Sequence, residues 1–233
     1  MAPKPLSSLS IFFPVYRDEN TVEPLTKACL KIGHELTDDL EILIIDDHSP
    51  DKAGEIAERL ARENTEVRVI HHPVNRGIGQ AMIQGFTQAK KDYVFYTDGD
   101  FQYDVKELSL LVPHAAIHDL VVGFRLKRAE GFKRVFTSRC FHAIIFLLFG
   151  IHYRDIDCSF KLVRRRFLDK IIFRSQSALV DFELLMNAKR LGIPVKEVGV
   201  HHFARRFGES QCLRANLVLS MLRDTLRLRW LYR

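Results

Sequence analysis

The chain has 233 residues, a length that fits one large domain with a sizeable hydrophobic core. Its 47% hydrophobic and 27% charged residues are ordinary for a soluble globular protein. The four cysteines show no Cys-x-x-Cys spacing, which argues against a zinc site or a disulfide framework and favours a reducing, cytoplasmic location. No basic segment followed by an apolar run opens the chain, so we expect no secretory signal.

The charge is divided unevenly along the chain. Residues 1–124 have 12 basic and 20 acidic side chains, a net charge of −8, whereas residues 125–233 have 23 and 9, a net charge of +14. The basic second half indicates contact with an anion, such as nucleotide phosphates, a lipid phosphate, a membrane surface or nucleic acid. A basic face that is merely solvated explains the same charge.

Short strands alternate with helical patterns in the first half of the chain. The strands are predicted at 8–15, 40–46, 67–72, 93–97 and 120–123, and the helices at about 20–31, 51–64, 78–90 and 105–118. Asp104 and Glu107 have the spacing of a capping box at the start of the fourth helix. The alternation predicts an α/β fold with a mostly parallel sheet and helices on both of its faces.

The second half is less regular, with helices predicted at 132–150, 178–191 and 213–232 and strands at 158–163 and 195–201. The apolar run 141–149 is too short to span a bilayer, and is either a core helix or a surface for an acyl or prenyl chain. The last helix mixes leucines and arginines with Trp230 and Tyr232. That composition suits an interfacial membrane helix, or packing against the domain or a dimer partner. We therefore divide the chain into a domain at 1–211 and an amphipathic helix at 212–233.

Two aspartates, Asp98 and Asp100, directly follow the strand predicted at 93–97. Carboxylates one residue apart offer hard oxygen ligands, which suit Mg2+ or Mn2+. Gly99 leaves no side chain between them, so that a diphosphate can approach the backbone. The loop between a strand and a helix is where ligands bind in an open α/β sheet. The pattern predicts a binding site for a metal-bridged nucleotide diphosphate. An ordinary turn or a helix cap is the alternative explanation of the same residues.

Eight short motifs follow one another between about residues 10 and 211. They are FPVYRDEN at 13–20, DDHSPD at 46–51, NRGIGQA at 75–81, YTDGDFQY at 96–103, VGFR at 122–125, RVFTSR at 134–139, DIDCSFK at 155–161 and RRFGES at 205–210. In this order they resemble the family 2 glycosyltransferases. Within that family they resemble the branch of dolichyl-phosphate mannose synthase and the bacterial polyprenyl-phosphate glycosyltransferases.

The resemblance implies a GT-A-like sheet, with a Rossmann-like nucleotide-binding half and an acceptor half, and it assigns roles to the motif residues. It implies nucleotide binding by Pro14, Tyr16, Asp18, Asp47, Gly77, Ala81, Asp98 and Gly99, and a metal site of Asp98, Asp100 and Gln102. It implies catalytic roles for Asp100, Gln102, Asp155 and Asp157. It implies contacts with a phosphate or acceptor for Arg125, Arg134, Ser138, Arg205 and Ser210, where guanidinium groups bind phosphate oxygens in pairs.

The implied activity is that of an inverting, metal-dependent hexosyltransferase. Its donor is a GDP-, UDP- or dTDP-linked sugar, and its acceptor is dolichyl or undecaprenyl phosphate at the cytoplasmic face of the membrane. An ionised phosphate acceptor needs no general base, whereas a hydroxyl acceptor needs one, for which Asp155, Asp157 and Glu183 are candidates. The oligomeric state is open, a homo-oligomer included.

Two alternatives accompany this interpretation. One is a family 2 enzyme that glycosylates a saccharide or another hydroxyl acceptor. The other is a non-catalytic nucleotide- or nucleic-acid-binding protein; nucleic acid is disfavoured because the basic residues are not interleaved with aromatic residues in a recognisable motif. The chain departs from the family pattern at Arg17 and Asp18, which replace Asn-Glu. It departs again at Ser159, which replaces glycine, and at Gln211, where a lysine often stands.

Overall fold

The computed structural model describes residues 4–127, 132–175, 177–207 and 215–232, with the backbone alone at 132–140 and 215–219. Seven strands form one sheet in the order β3-β2-β1-β4-β6-β5-β7. They are β1 (Leu9–Val15), β2 (Leu40–Asp46), β3 (Val67–His71), β4 (Tyr93–Thr97), β5 (Leu120–Arg125), β6 (Phe160–Arg164) and β7 (Val195–Val200). All are parallel except β6, which is antiparallel to both of its neighbours. The predicted mostly parallel α/β sheet is confirmed.

Eight α-helices lie in the described part of the chain. They are α1 (Val22–Leu36), α2 (Ala53–Glu63), α3 (Ile78–Gln88), α4 (Leu108–Leu111), α5 (Phe132–Phe149), α6 (Arg165–Leu168), α7 (Val180–Arg190) and α8 (Ala215–Leu231). The helix predicted at 105–118 is instead the short α4 between two 3-10 turns. Asp104 caps the first turn by accepting a hydrogen bond from Lys106 N, as predicted. The other half of the predicted capping box is wrong, because the Glu107 carboxylate accepts a hydrogen bond from the backbone N–H of His201, at 2.7 Å.

The sheet is covered on both faces, as the alternation predicts. One apolar layer contains Leu9, Ile11 and Phe13 of β1 and the buried sides of α1 and α2. The other contains Phe12, together with buried residues of α3, α7 and α8. All seven residues of β1 are buried, because this central strand has helices on both sides. The loops at the strand ends are therefore held on a rigid base.

The terminal helix α8 packs against the body of the protein through its buried side. Asp224 accepts hydrogen bonds from Ser175 Oγ at 3.0 Å and from Ser177 N at 2.9 Å. Leu228 is fully buried, and the Tyr232 hydroxyl lies 2.9 Å from the Glu183 carboxylate. Among the described helices, none has both the length and the apolar character needed to cross a bilayer.

Candidate active site

The loops that follow β1, β2 and β4 meet at one edge of the sheet, because these neighbouring parallel strands all end there. Each loop has one non-glycine residue in the left-handed backbone region: Arg17 at φ 63°, His48 at φ 59° and Phe101 at φ 56°. Such a conformation costs of order 1–3 kcal/mol and persists only where the surroundings enforce it. Three of them at one edge indicate a functional site.

Asp18, Asp98 and Asp100 bring three carboxylates into electrostatic range of one another at this edge. Burial raises the pKa of Asp18 to about 6, with further repulsion from Asp51 and Asp98. Burial and repulsion from Asp98 raise the pKa of Asp100 to about 7. Burial and mutual repulsion therefore outweigh the lowering influence of Arg205 on both carboxyl groups. Asp18 thus joins the two aspartates that the sequence pattern paired, and the oxygen ligands of such a group have the chemistry that suits a divalent cation.

Gly99 lacks a side chain for a packing reason. A Cβ at this position would lie 2.1 Å from the Pro14 carbonyl oxygen and 3.3 Å from Asp18 Oδ2. The Thr21 hydroxyl donates to the Gly99 carbonyl at 2.8 Å. Gly99 therefore lets the loop after β4 lie against the end of β1, which brings Asp18 close to Asp98 and Asp100. The approach of a diphosphate to Gly99 stays a prediction.

Gln102 connects the aspartate loop to the segment after β7. Its Nε2 donates to the Phe203 carbonyl at 2.7 Å, and the Phe203 N–H donates to the Gln102 carbonyl at 2.8 Å. These bonds leave Oε1 as the side-chain atom of Gln102 with the chemistry of a metal ligand. The same segment brings Arg205 into an ion pair with the Asp100 carboxylate. In the structure Arg205 thus contacts a predicted metal ligand, where the sequence predicted a phosphate contact.

Asp47 organises the turn before α3. Its carboxylate accepts from Arg76 N at 2.7 Å and from Gly77 N at 2.8 Å, and it lies 2.6 Å from His72 Nδ1. These bonds give the buried Asp47 a positioning role, and its contact with a base or ribose stays a prediction. Gly77, at φ 83°, permits the turn, and Ala81 is buried in the first turns of α3.

Pro14 and Tyr16, predicted to pack against a base, lie at the end of β1. Pro14 is buried in the strand, and its carbonyl meets Gly99. Tyr16 is half-buried, with the Arg17 guanidinium 5.4 Å from its ring centroid. The positions place a flat apolar surface beside the carboxylate cluster. Stacking on a base stays a prediction for both residues.

Arg125 and Asp155 form a buried, bidentate ion pair. Nε lies 2.7 Å from Oδ2 and Nη2 lies 2.8 Å from Oδ1, with the side chains 5% and 3% exposed. The guanidinium of Arg125 is thus directed at a protein carboxylate. The pair gives both residues a structural role, and the phosphate contact of Arg125 and the catalytic role of Asp155 stay predictions.

Asp157 lies near a second group that has ligand chemistry. His142 of α5 has its Nε2 3.4 Å from the Asp157 carboxylate. With Asp155, these residues bring ligand atoms within 4.8 Å of one another. The bidentate bond between Arg125 and Asp155 competes with a cation here. Arg205 competes in the same way for Asp100, so it is the raised pKa values of Asp18 and Asp100 that favour the three-carboxylate cluster for a divalent metal. A catalytic role of Asp157 stays a prediction.

The sequence interpretation missed a buried ion pair beneath the site. Lys161 of β6 lies 2.6 Å from Asp181 of α7, and Lys161 is fully buried. Asp181 lies in the first turn of α7, a usual place for a helix cap, but the start of α7 has no side-chain cap hydrogen bond. Burial raises the pKa of Asp181 to about 6, against the lowering influence of Lys161. A lysine inside the apolar sequence FKLV of a predicted strand is the feature of the sequence that indicates such a buried ion pair.

Three predicted site residues stay untested. Arg134 and Ser138 lie in α5, in the part whose backbone alone is described, and Ser210 lies outside the described residues. Their contacts with a phosphate or acceptor stay predictions.

The sequence matches the model of the family described as Glycosyl transferase family 2 over residues 10–172. The chain belongs to this family. The match includes all three carboxylates of the cluster, as well as Gln102, Arg125 and Asp155. The resemblance inferred from the ordered motifs is thereby confirmed.

Among curated proteins, the chain is similar to undecaprenyl-phosphate 4-deoxy-4-formamido-L-arabinose transferases. It is 30% identical to the protein from Pseudomonas fluorescens strain SBW25 over 229 residues, which is 95% of this chain and 64% of the relative. It is 28% identical to the protein from Photorhabdus laumondii, covering 91% of this chain and 65% of the relative. The chain thus spans less than two thirds of the length of these relatives.

Among solved structures, the fold is similar to that of glucosyl-3-phosphoglycerate synthase from Mycobacterium tuberculosis. A complex of that protein with phosphoglyceric acid superposes with a TM-score of 0.73 at 20% identity, covering 94% of this chain and 80% of the other. Its complex with Mn2+ and UDP-glucose superposes with a TM-score of 0.71. The likeness shows the fold, and the predicted GT-A-like architecture is confirmed.

Proposed function

We propose that the protein transfers a sugar, with inversion, from a nucleotide-diphosphate donor to a polyprenyl phosphate, and that the reaction depends on Mg2+ or Mn2+. The observation that carries this proposal is the three-carboxylate cluster, which Arg205 neutralises only in part, at the ligand-binding edge of a family 2 fold. The names of the curated relatives support the acceptor class. The complex of the solved neighbour with Mn2+ and UDP-glucose supports the metal and the donor class.

Different residues of the site would have different roles in such a reaction. Asp98, Asp100 and the Gln102 Oε1 would hold the metal, which supplies charge neutralisation for the diphosphate as it leaves. Tyr16 and Pro14 would offer a surface to the base. The first N–H groups of α3, after Gly77, would face a phosphate, since the N-terminus of a helix attracts anions. These groups act by positioning and by neutralising charge.

Bonds within the protein favour an acceptor that is already ionised. A hydroxyl acceptor needs a general base, but Asp155 is paired with Arg125. Glu183 accepts from Arg174 N at 2.6 Å and Ser175 N at 2.8 Å, and it also contacts the Tyr232 hydroxyl. A phosphate acceptor needs no such base. Transfer to a hydroxyl is the alternative, and of the bases predicted from the sequence it would depend on Asp157.

The test is a panel of GDP-, UDP- and dTDP-sugars with undecaprenyl phosphate in detergent micelles, with Mn2+ or Mg2+ added. Asp100→Asn is expected to lower turnover about 100-fold or more, because it removes a metal ligand. Asp104→Asn is the matched control: its carboxylate lies in the same loop but bonds Lys106 N, and turnover should persist.

Other outcomes would contradict parts of the proposal. Equal turnover of the wild type and Asp100→Asn would exclude the metal assignment. Saturable transfer to water-soluble glycans, with none to the lipid phosphate, would favour the hydroxyl acceptor. Salt-sensitive DNA binding without turnover of any nucleotide sugar would favour the non-catalytic alternative.

We infer further that α8 contacts an anionic membrane surface at the cytoplasmic face, where a polyprenyl phosphate would be presented. Leu222, Leu226 and Trp230 are four residues apart and form one exposed stripe on the side of α8 opposite Leu228. Exposed arginines flank the stripe: Arg223, Arg227 and Arg229. An apolar stripe bordered by arginines is typical of an interfacial helix, and the arginines suit anionic headgroups.

A further inference from the structure

The Tyr96 hydroxyl is fixed in place directly beside the three-carboxylate cluster. Tyr96 of β4 is 1% exposed, and its hydroxyl donates to Asp98 Oδ1 at 3.1 Å. Its ring stacks on Phe12, with a centroid distance of 5.0 Å, and packs near Phe86 at 5.7 Å. Because the ring is held by these contacts, the hydroxyl has one position from which to bond Asp98.

Ser159 contacts the Tyr96 hydroxyl in turn. Its hydroxyl is a side-chain hydrogen-bond partner of the Tyr96 hydroxyl. Because the Tyr96 proton is used in the bond to Asp98, the proton of this second bond must come from Ser159. Ser159 is buried, and it replaces the glycine of the family motif. Since glycine has no hydroxyl, this bond depends on the residue by which the chain departs from the family pattern.

The loop that contains Ser159 is held by the buried Lys161. Lys161 lies opposite Tyr96 in the pairing of β4 with β6. Its Nζ donates to the carbonyls of Ile156 and Cys158 and to the Asp181 carboxylate. The two carbonyl bonds hold the backbone that directly precedes Ser159, and the third anchors Lys161 to α7. The backbone position from which Ser159 reaches Tyr96 is thereby restrained.

We propose that Ser159 and Tyr96 are positioning residues that hold the Asp98 carboxylate in the orientation needed to bind a divalent metal. The inference rests on the proposed metal role of Asp98 and adds two residues to it. A ligand carboxylate that is hydrogen-bonded from behind keeps its orientation, and the loss of such a partner typically costs 10- to 100-fold in metal affinity. Ser159 acts on Asp98 only through the Tyr96 hydroxyl.

The experiment measures Mn2+ affinity without donor or acceptor, from the electron paramagnetic resonance signal of free Mn2+. Tyr96→Phe keeps the ring and is expected to weaken binding about 10-fold or more. Ser159→Gly restores the residue of the family pattern and is expected to weaken binding about fivefold. Tyr93→Phe is the matched control, because it removes a hydroxyl of the same strand that bonds Arg164. Its Mn2+ affinity should equal that of the wild type.

A double variant tests whether Ser159 acts on Asp98 through Tyr96 or independently of it. Tyr96→Phe with Ser159→Gly should bind Mn2+ as Tyr96→Phe alone does, because Ser159 acts through the lost hydroxyl. Additive losses, or a Tyr96→Phe protein that binds like the wild type, would overturn the inference. A wild type that binds no Mn2+ would overturn both this inference and the metal assignment. Normal Mn2+ binding with no sugar transfer would contradict the proposed function alone.

Discussion

At the scale of single residues, the carboxylates of the cluster are under-neutralised. Asp18, Asp98 and Asp100 together have a charge of −3 when ionised, and Arg205, paired with Asp100, offsets one of these charges. The pKa of Asp100 is nevertheless raised to about 7, because burial and Asp98 outweigh Arg205. A dication would supply the two positive charges that are lacking. The local charge balance thus supports the proposed divalent cation independently of any relative.

The raised pKa values predict how metal binding depends on pH. Asp18 and Asp100 bind protons with pKa values of about 6 and about 7, so protons compete with the metal below these values. Mn2+ affinity should therefore rise between about pH 5 and pH 8 and level off above that range. Titrations of Mn2+ across this range would show the rise, and Asp104→Asn should follow the same curve. An affinity that does not change with pH would contradict the assignment of the metal to this cluster.

The residue types of the site are readable from the sequence, but their partners are not. Asp98 and Asp100 are adjacent to a strand end, so their place at the sheet edge follows from local pattern. Arg125 and Asp155 are 30 residues apart and meet only where β5 and β6 are neighbours. Asp18 joins the cluster because Gly99 packs against Pro14. Such contacts depend on strand order and packing, which one sequence does not reveal.

At the scale of elements, the first turn of α3 is set by a close backbone contact. A Cβ at Gly79 would lie 2.0 Å from the Ser177 carbonyl oxygen, a backbone atom in the loop before α7. We predict that Gly79→Ala lowers the free energy of unfolding by about 1–3 kcal/mol, because the added methyl overpacks this contact. It should also weaken nucleotide binding, because the helix N-terminus is displaced. Chemical denaturation and calorimetric titration with UDP would measure the two effects.

A glycine elsewhere provides the control for this prediction. Gly192 has φ 65° and no atom within 4 Å of an added Cβ. Gly192→Ala should cost about 1–2 kcal/mol of backbone strain, yet leave UDP affinity unchanged. Gly79→Ala binding UDP as the wild type does would show that this contact does not position α3 for the donor.

The bounds of the elements were predictable where the sequence signal is local. The apolar runs at 40–46 and 93–97 become β2 and β4 without a change of bounds. The helix predicted at 105–118 is interrupted because Pro113 lacks an N–H and its ring conflicts with the preceding turn. Glu107 bonds His201 of the segment after β7, a contact 94 residues away along the chain. No local sequence pattern indicates that His201 takes the Glu107 carboxylate away from the predicted capping box.

At the scale of the whole molecule, the uneven charge along the chain corresponds to an acidic site and a basic helix surface. The acidic first half contributes the three-carboxylate cluster. The basic second half contributes Arg205 at the cluster and the exposed arginines of α8. The one acidic residue in the described part of α8, Asp224, is buried against Ser175 and Ser177. The outward side of α8 is therefore basic and apolar, which is the chemistry of a surface that meets anionic lipid.

Vesicle binding tests this surface directly. The protein should sediment with phosphatidylcholine vesicles that contain phosphatidylglycerol, and binding should fall as salt is added, because the arginines contribute electrostatic attraction. Leu226→Ser combined with Trp230→Ser should lower the partition about 10-fold or more, since two exposed apolar side chains are lost. Ile117→Ser, which alters a side chain that is 78% exposed in the turn before β5, is the matched control and should bind as the wild type does. Equal binding of both variants would contradict membrane contact through α8, and a dimer in solution abolished by the double change would identify the stripe as a contact between two copies.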